Sequence, residues 1–586
     1  MPGAAHERNP FELPRTQWSW WSIYRAHAVR FGGARLLDAR PIRALPLLAL
    51  ASLTPAVAQA QSQAAPRPPS HVVVGALALP GSEAEERRRL VSPTRFSAVH
   101  SAELLAPATG GARASWQLTL IAPELRTVHN SGLAFSINEG PLWAGRGANT
   151  LVTAGLHLQR GPFSLQLAPQ FAHSENRRFQ TIPFPQGTTT PARSVWANPF
   201  HPPASSIDLP LRMGNRPLSQ TGPGQSHLAL THSGVRVGVS TEQRWWGPTL
   251  RHPLVLGANS AGFPHAFVDI ADGVHTPLGR VRGQWLLGTL RESAFFDDDP
   301  TNNHRALNGL LIALSPRLDS ALTLGIMRVV MSTASGGIPP LSRAVDVFRR
   351  VGQPIRLNPL ALPAGVQRDQ ITALFAHYAL PAAGFESWME WARFAEPTSG
   401  ADLLQYPGYS HGYTVGLQWS RPVRRGRLRV AAEATNTEPD ASIRVRPVAT
   451  SYTSRAVPQG FTHQGRTMAN PLGPGASGQW LSADYFGERV RVGLMGGRIR
   501  WDNATLWEPV VPQLKLEDVS LLGGVRASLR IGSDRLASRL AVEYTSAVRL
   551  SYLYQSKLLD WATGTNGGVD LPNRTLSVSW STAAFR

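Results

Sequence analysis

Hydrophobic and polar residues alternate with a period of two over most of the chain. In residues 153–159 the apolar side chains fall at Ala154, Leu156 and Leu158, and a turn at 160–162 leads into the same alternation at 163–167. Successive side chains of a β-strand point to opposite faces, so this pattern predicts strands with one apolar face. Segments of about ten residues joined by turns are typical of transmembrane β-barrels.

The same alternation returns up to the C-terminus, at 227–240, 413–419, 525–531 and 539–545. The last predicted strand, 576–581, runs towards Phe585, which resembles the terminal aromatic signal by which outer-membrane barrels are inserted. A soluble β-sandwich alternates too. However, the polar faces carry Arg, Glu and Gln, as a wet lumen would, and 17 tryptophans suit interfacial girdles. We therefore predict an all-β fold, a transmembrane antiparallel β-barrel.

Two segments have helical patterns instead. Residues 82–90 combine a capping serine, early carboxylates and later arginines, and residues 341–350 place four apolar side chains beside a basic face. The wall of a barrel cannot contain such helices, because lipid cannot satisfy backbone groups that leave the strand ladder. We expect these helices in loops, in a plug or in a periplasmic cap.

The N-terminal region contains an export signal. Basic residues between Arg35 and Arg43 precede a short apolar run at 44–53, and the small-residue pattern at 56–60 predicts cleavage after Ala58 or Ala60. The apolar run is too short to span a bilayer as a helix. A cleaved signal peptide would direct the protein through the inner membrane of a Gram-negative cell.

These patterns predict three parts of the chain. Residues 1–60 form an N-terminal extension with the signal peptide, residues 61–125 a periplasmic lead-in with a short helix, and residues 126–586 the barrel. The localisation expected from this organisation is the bacterial outer membrane.

Composition narrows the chemistry. Charged residues make up 16% of the chain, which is low for a soluble protein, and the absence of cysteine excludes disulfides and thiolate nucleophiles. The net charge of +20 is nearly all arginine, since lysine occurs only at Lys515 and Lys557. The arginines are scattered and form no basic block, which argues against nucleic-acid binding. They reflect either codon usage or a surface that attracts anionic polymers.

Three segments resemble the capsule assembly proteins of the Wzi type. Asn130-Ser131 with Asn138–Gly147 (NEGPLWAGRG) is similar to the family's NS and NDGALWQGRG stretches. Ser240–Pro248 (STEQRWWGP), followed by Asn259 and Phe263-Pro264, resembles its double-tryptophan segment, and Gly460–Arg466 (GFTHQGR) resembles its Y-x-x-R-G-R stretch. Their order and spacing match over residues 75–586, although Glu139, Thr249 and Gly257-Ala258 depart from the family pattern.

This resemblance implies a barrel of about eighteen strands with a few short plug or periplasmic helices. It implies a lectin-like role in anchoring or assembling capsular or other anionic polysaccharide at the cell surface. The expected partners are this polymer, outer-membrane lipids and the barrel-insertion machinery, with no nucleic acid and a monomeric state. A porin or polysaccharide-export channel is the alternative function.

A polysaccharide site needs flat aromatic faces for sugar rings, guanidinium forks for carboxylates and amides for hydroxyls. The residues of the three segments and their surroundings that supply these groups are Trp143, Arg146, Trp245, Trp246, Arg251, Asn259 and Arg466. Packing is the competing interpretation, because consecutive tryptophans on a strand face opposite sides and Arg146 could pair with a lumen carboxylate.

Signals for catalysis are weak. Asp297–Asp299 with Asn302 lacks EF-hand spacing and predicts a solvated loop. Glu386 and Glu390 could suggest glycosidase carboxylates, but Trp388, Glu390 and Ala392 are alternate residues that lie on one strand face, as in a barrel wall. An outer-membrane hydrolase is therefore disfavoured, and we expect no catalytic residue, no metal and no cofactor.

Overall fold

The computed structural model describes the chain from residue 72 to residue 583, within one compact unit that spans Pro69–Arg586. The predicted signal peptide lies outside the described residues. No described helix is both long and apolar enough to cross a membrane. Within 72–583 the undescribed positions are 81, 84–85, 87–89, 91–98, 102, 106–115, 180–206, 298, 352–365, 440–449, 455, 502–516, 533–536 and 553–569.

Strands dominate the described residues. In chain order they are β1 (Val72–Ala78), β2 (Val99–His100), β3 (Glu103–Leu105), β4 (Gln117–Asn130), β5 (Gly147–Arg160), β6 (Phe163–Leu167), β7 (Gln170–Ser174), β8 (Leu218–Gly222), β9 (His227–His232), β10 (Val235–Ser240), β11 (Trp245–Trp246), β12 (His265–Thr276), β13 (Gly279–Arg291), β14 (His304–Pro316), β15 (Leu322–Ala334), β16 (Arg368–Leu380), β17 (Phe385–Arg393), β18 (His411–Val423), β19 (Gly426–Asn436), β20 (Thr462–His463), β21 (Arg466–Thr467), β22 (Ser477–Phe486), β23 (Val490–Arg500), β24 (Val519–Gly532), β25 (Ala537–Leu550) and β26 (Leu571–Ala583).

The long strands form a closed antiparallel barrel of 18 strands. Each long strand pairs with its neighbour in the chain, and β26 pairs with β4 from Thr575 opposite Asn130 to Ser581 opposite Glu124. Two wall strands are interrupted: β6 and β7 together pair with β5, and β8 and β9 form the next strand. This architecture confirms the predicted fold class.

The alternation along each strand separates an outer from an inner face. On β24, Leu521, Val525 and Leu529 are exposed, whereas Leu522 and Arg526 between them are buried inside the barrel. An outer surface of exposed apolar side chains is the surface that transmembrane barrels present to lipid. The predicted strands at 153–159, 163–167 and 525–531 are confirmed.

The two ends of the barrel differ. Turns of a few residues connect strands at one end, for example at 161–162, 233–234 and 424–425, and we call it the short-turn end. Longer segments emerge at the other, the long-loop end, including 241–264 and 450–476. In outer-membrane barrels short turns face the periplasm and long loops face the cell exterior.

Long loops fold back into the lumen and fill it with a plug, here defined as residues 131–146, 241–264 and 450–476. Its apolar side chains, such as Trp246 and Leu254, pack in one cluster with inward wall residues such as Phe267, Leu307 and Met327. The lumen is thereby occupied by protein, as the family resemblance implies.

The N-terminal lead-in also enters the barrel. β1 pairs in parallel with the first residues of β4, which begins at Gln117, ahead of the predicted barrel boundary at 126. Beyond β1, Glu83, Glu86 and Leu90 have helical backbone, which confirms the predicted helix at its described positions.

Two further helices lie in long-loop segments. Leu341–Phe348 is a 3-10 helix, and Gly400–Gln405 is an α-helix whose N-terminal Ser399 accepts a hydrogen bond from the Asp402 amide. The first of these confirms the helix predicted at 341–350, although it is a 3-10 helix and ends at Phe348.

Candidate functional site

The three motif segments meet inside the plug at Arg466. Its guanidinium donates hydrogen bonds to the carbonyl oxygens of Gly140 (2.9 Å) and Leu142 (2.5 Å) and to Ser136 Oγ (2.6 Å). It also donates to Asn259 Oδ1 at 3.2 Å. Burial lowers the pKa of Arg466 to about 10, with the nearby charge of Glu139 opposing the shift, so the group stays protonated at neutral pH.

The Asn259 side chain completes this junction. Its amide nitrogen donates to the Thr467 carbonyl (3.1 Å) and hydroxyl (2.9 Å), and its oxygen accepts from the Asn138 backbone amide at 3.3 Å. Asn138 in turn donates to the carbonyl oxygen of Arg251 at 2.9 Å. Hydrogen bonds between residues far apart in the chain therefore join the three motif segments inside the plug.

The double tryptophan is buried in the plug. Trp246 is fully buried and its indole nitrogen donates to Gln284 Oε1 on the wall at 2.5 Å. Trp245 pairs through its backbone with His100 of β2. Both rings therefore pack in this structure, and a contact between either of them and a polymer stays a prediction.

Glycine at 247 allows the plug to approach the wall closely. Its backbone has a φ of +94°, and a Cβ at this position would lie 2.2 Å from Glu390 Oε1. Glu390 also accepts a hydrogen bond from the Leu254 amide at 2.9 Å. The prediction that Glu390 and Trp388 belong to the barrel wall is confirmed, since both lie on β17 and are buried.

Arg251 lies between the plug and the wall. Its guanidinium carbon is 3.6 Å from the ring centre of Trp480, a cation–π contact. Glu433 on β19 accepts hydrogen bonds from three consecutive backbone amides, those of Leu250 (2.7 Å), Arg251 (3.0 Å) and His252 (2.9 Å). One wall carboxylate thus fixes the loop that carries Arg251.

Trp143 and Arg146 are half-buried, as Arg251 is, but they lie near the start of β5 at the long-loop end. The Trp143 indole nitrogen donates to Asn176 Oδ1 at 3.4 Å. Arg146 donates to the carbonyl oxygens of Ser131 (3.1 Å) and Arg178 (2.7 Å).

A charged cavity of about 290 Å³ lies inside the barrel between the plug and the wall. Arg126, Glu139, Arg251 and Glu543 are among its lining residues. The Arg126 guanidinium holds the Glu139 carboxylate through two hydrogen bonds of 2.7 Å. These side chains could contact hydroxyl-rich or anionic solutes, but Arg126 and Glu139 already neutralise each other.

An arginine cluster, formed by Arg429, Arg491 and Arg526, fixes the N-terminal helix inside the lumen. All three guanidiniums contact Asp484, at 2.9, 3.1 and 2.5 Å. Glu86 of the helix adds contacts of 2.6 Å to Arg491 and 3.2 Å to Arg429. Sequence analysis missed this cluster; the only signal was that alternation places Arg526 on a polar strand face.

Acid is expected to loosen this helix. Burial raises the pKa of Glu86, but the three arginines outweigh it and hold that pKa well below its ordinary value of 4.5. A carboxylate with a depressed folded pKa stabilises the fold above its unfolded pKa, and this stabilisation disappears as the pH falls through the folded value. Hydrogen-exchange mass spectrometry should therefore find residues 72–90 protected at pH 7 and opening only at a pH below about 4.

The control for this pH dependence is Glu86→Gln, in which the opening of residues 72–90 should depend less on pH over that range, with Asp484 as the remaining acid of the cluster. Exchange of a wall peptide from β24 should stay slow throughout. Opening of wild-type residues 72–90 at pH 6 would contradict the prediction.

Metal and catalytic sites were not expected from the sequence. Among the residues that the structure describes, no group of three His, Asp or Glu side chains is arranged to hold a metal ion. In the acidic loop after β13, Asp297 accepts hydrogen bonds from the Asp299 amide (2.8 Å) and from Asn302 Nδ2 (3.1 Å), an arrangement that orders the loop itself.

Comparisons with known structures give distant matches. A carbohydrate-binding β-barrel, the outer-membrane protein Wzi involved in group 1 capsule assembly in Escherichia coli, is 11% identical, with 78% of this chain and 83% of that chain covered and a TM-score of 0.48. The protein OccK5 (OpdH) of Pseudomonas aeruginosa is 11% identical over 80% of this chain and 98% of its own, with a TM-score of 0.36. A BenF-like porin of Pseudomonas fluorescens is 7% identical over 80% and 98%, with a TM-score of 0.37. Among curated proteins, nothing matches.

A family model gives the assignment. The model of the capsule assembly protein Wzi matches residues 128–550, which is well over half of the chain and includes all three motif segments. The same segments interlock around Arg466 in the structure. The protein is a member of the Wzi capsule assembly family.

Proposed function

We propose that this protein binds capsular or another anionic extracellular polysaccharide at the long-loop end of the barrel and retains it at the cell surface without chemical turnover. The observation that carries the proposal is the plug: the motifs of the family lock the loops into a filled lumen. A filled lumen favours a binding surface on the loops over a path through the barrel.

The proposed location is the outer membrane, reached through the predicted signal peptide at residues 1–60. The apolar outer face of the wall supports a membrane location. A homologue from Escherichia coli is described as a carbohydrate-binding barrel involved in capsule assembly, which is consistent with the proposal.

The loop surface around Trp143 supplies suitable groups. Arg146, Arg177 and Arg178 lie within two neighbouring segments, and the Arg177 side chain is 61% exposed although it pairs with Glu175 at 2.5 Å. Guanidiniums bind sugar carboxylates through paired hydrogen bonds, and an indole offers a flat face to a sugar ring. We call Trp143, Arg146, Arg177 and Arg178 the basic rim and propose it as the polymer contact.

A porin or export channel is the alternative. Solute would have to pass the cluster around Trp246 and Leu254, in which the plug side chains contact the wall directly. Passage would therefore require the plug to leave the lumen, whereas retention of polymer on the rim would not.

Deletion of the gene in an encapsulated host should move polymer from the cell-bound fraction into the medium while the total stays constant. Complementation with the wild-type gene should restore retention, but Trp143→Ala/Arg146→Gln should leave the cell-bound fraction lower by about tenfold, as expected for losing contacts of 1–3 kcal/mol. Arg317→Gln is the matched control, since Arg317 is exposed in a turn at the short-turn end. Unchanged cell-bound polymer in the deletion strain would refute the proposed function; normal retention by the rim variant alone would refute the rim as the contact.

A further inference from the structure

We propose that the barrel carries an external collar that binds an anionic, phosphate-bearing lipid of the surrounding leaflet. The collar consists of residues 337–350, which include the 3-10 helix Leu341–Phe348, together with residues 396–409. This inference rests on the barrel spanning a membrane and is independent of polysaccharide binding.

The 3-10 helix of the collar lies on the outside of the wall. Trp285 and Asn308 point outward, since each alternates along its strand with inward core residues such as Leu286. The Trp285 indole donates to the carbonyl oxygen of Ala344 at 3.2 Å, and Asn308 Oδ1 accepts from the Val347 amide at 2.8 Å. Two outward wall side chains thus hold the helix against the lipid-facing surface.

The depth of this contact places the helix at membrane level. Asn308 is four residues below the long-loop end of β14, or roughly 13 Å along the strand at about 3.3 Å per residue. Below the collar the outward side chains of Ile312, Ile326 and Leu374 are exposed and continue the apolar belt. The helix therefore covers the upper edge of that belt.

The surface that the collar turns away from the wall is apolar. Leu341 is 82% exposed, Phe348 68% and Ile338 88%. Exposing such an apolar patch to water is unfavourable. An amphipathic helix that lies in a membrane interface avoids this cost, because it buries its apolar face among acyl chains. Beside it, an apolar groove of about 480 Å³ runs between Ile338 and wall residues such as Leu228 and Val239, which suits an acyl chain.

Charges lie directly behind this apolar face. Asp346 is buried and contacts Arg368 at 3.1 Å, Arg349 at 3.6 Å and Arg343 at 3.9 Å. Arg368 belongs to the outer face of the wall, where a bare charge would be unfavourable next to lipid, and the collar covers it.

The same pattern occurs around Glu396 in the second collar segment. Its carboxylate lies 3.8 Å from Arg350 and 3.9 Å from Arg328, another outward wall residue. Five arginines (328, 343, 349, 350 and 368) lie within 4 Å of the two carboxylates Asp346 and Glu396, so these two groups together carry three positive charges in excess. The third carboxylate of the collar, Asp402, contacts a further arginine, Arg393, at 3.8 Å and leaves this excess unchanged.

This excess is accessible. The side chains of Arg349 and Arg350 are 52% and 74% exposed, next to the apolar Phe348. Guanidiniums bind phosphate oxygens through paired hydrogen bonds, and basic residues at a membrane surface attract anionic lipids. A lipid with a phosphate near Arg349 and Arg350 and a chain along Ile338 would satisfy both features.

Native mass spectrometry of the full barrel tests the collar. The protein is purified in detergent with equal amounts of phosphatidylglycerol and phosphatidylcholine of identical chains. Wild type should retain phosphatidylglycerol preferentially, and Arg349→Gln/Arg350→Gln should reduce that preference by on the order of tenfold. The matched control is Arg424→Gln/Arg425→Gln, an exposed arginine pair in the turn between β18 and β19 at the opposite end, and it should behave as wild type.

Equal retention of the two lipids by wild type, or an equal loss in the control, would overturn the proposal. So would a dimeric wild type that Phe348→Ser makes monomeric, because a second copy would then cover the collar. If the double variant fails to fold, the single variant Arg350→Gln replaces it in the same experiment, because it removes the most exposed of these charges. Polysaccharide retention should be unchanged in the collar variants, so this test and that of the basic rim can fail separately.

Discussion

Replacing Trp246 with alanine is expected to destabilise the protein by about 3–5 kcal/mol, the usual cost of truncating a large buried aromatic side chain. The indole is fully buried, donates to Gln284 on the wall and belongs to the cluster that joins Leu254 and Leu256 to the barrel. Its loss should weaken the plug more than the wall, because the strand ladder remains intact. Conductance recorded in planar bilayers should show no channel openings for the wild type and discrete openings for the variant.

Trp419→Ala is the matched control for this experiment. Trp419 lies on β18 with its ring exposed on the outer face of the barrel, so the same truncation removes no plug contact. It should change stability little and open no pore. If Trp246→Ala left both the stability and the closed state of the barrel unchanged, Trp246 would not hold the plug in place. A wild type with a steadily open pore would favour the channel alternative.

The wall was the part of the fold that the sequence predicted well, and the reason is physical. Each strand separates lipid from the barrel interior, so the side-chain period of two is imposed on the residues themselves, as on β24 from Val519 to Gly532. The number of strands did not follow from alternation. The break between β6 and β7 falls at Ala168-Pro169, where proline lacks the amide that a strand ladder needs, and such breaks hide the count.

The sequence predicted the helix at Leu341–Phe348 but did not predict its position on the outside of the barrel wall. An amphipathic pattern states that one face is apolar and does not state what covers that face. Because the helix lies outside the wall, Leu341 and Phe348 are exposed and Asp346 is buried, the reverse of a helix inside a plug. Its contacts with the outward wall residues Trp285, Asn308 and Arg368 show this position.

The candidate site residues were found by motif spacing, but their surroundings were not. Arg466 and Gly140 are joined by a hydrogen bond across 326 positions in the chain, and no local pattern encodes such a contact. The residue types also do not distinguish the two roles: tryptophan, arginine and asparagine serve sugar binding and plug packing equally well. Trp143 and Arg146 are half-buried near the loop surface, whereas Trp246 and Arg466 are buried.

The arginine cluster also depends on contacts that the sequence pattern does not predict. Asp484, Arg491 and Arg526 come from three successive wall strands, and register brings them together: Arg491 pairs opposite Phe486, and Arg526 opposite Gly493. Alternation can place each residue on the inner face. It cannot supply the register that aligns them, because that depends on turn lengths and on the closure of the barrel.

Replacing Asp484 with alanine is expected to cost about 3–5 kcal/mol, because it leaves buried guanidiniums without the carboxylate that neutralises them. Asp484 is fully buried and contacts Arg429, Arg491 and Arg526, with Glu86 as the second acid of the cluster. The variant should show a lower midpoint of thermal unfolding in detergent and faster hydrogen exchange in residues 72–90. Asp319→Ala, at an exposed turn position between β14 and β15, should change neither.

A second substitution separates electrostatics from packing. If unpaired positive charge is what destabilises Asp484→Ala, then adding Arg526→Met removes one of those charges and should restore part of the lost stability, giving a favourable coupling in a double-mutant cycle. If lost packing volume were the cause, the two effects would simply add. Additive losses would therefore mean that Asp484 fills space, and that Glu86 alone holds the N-terminal helix against the arginines.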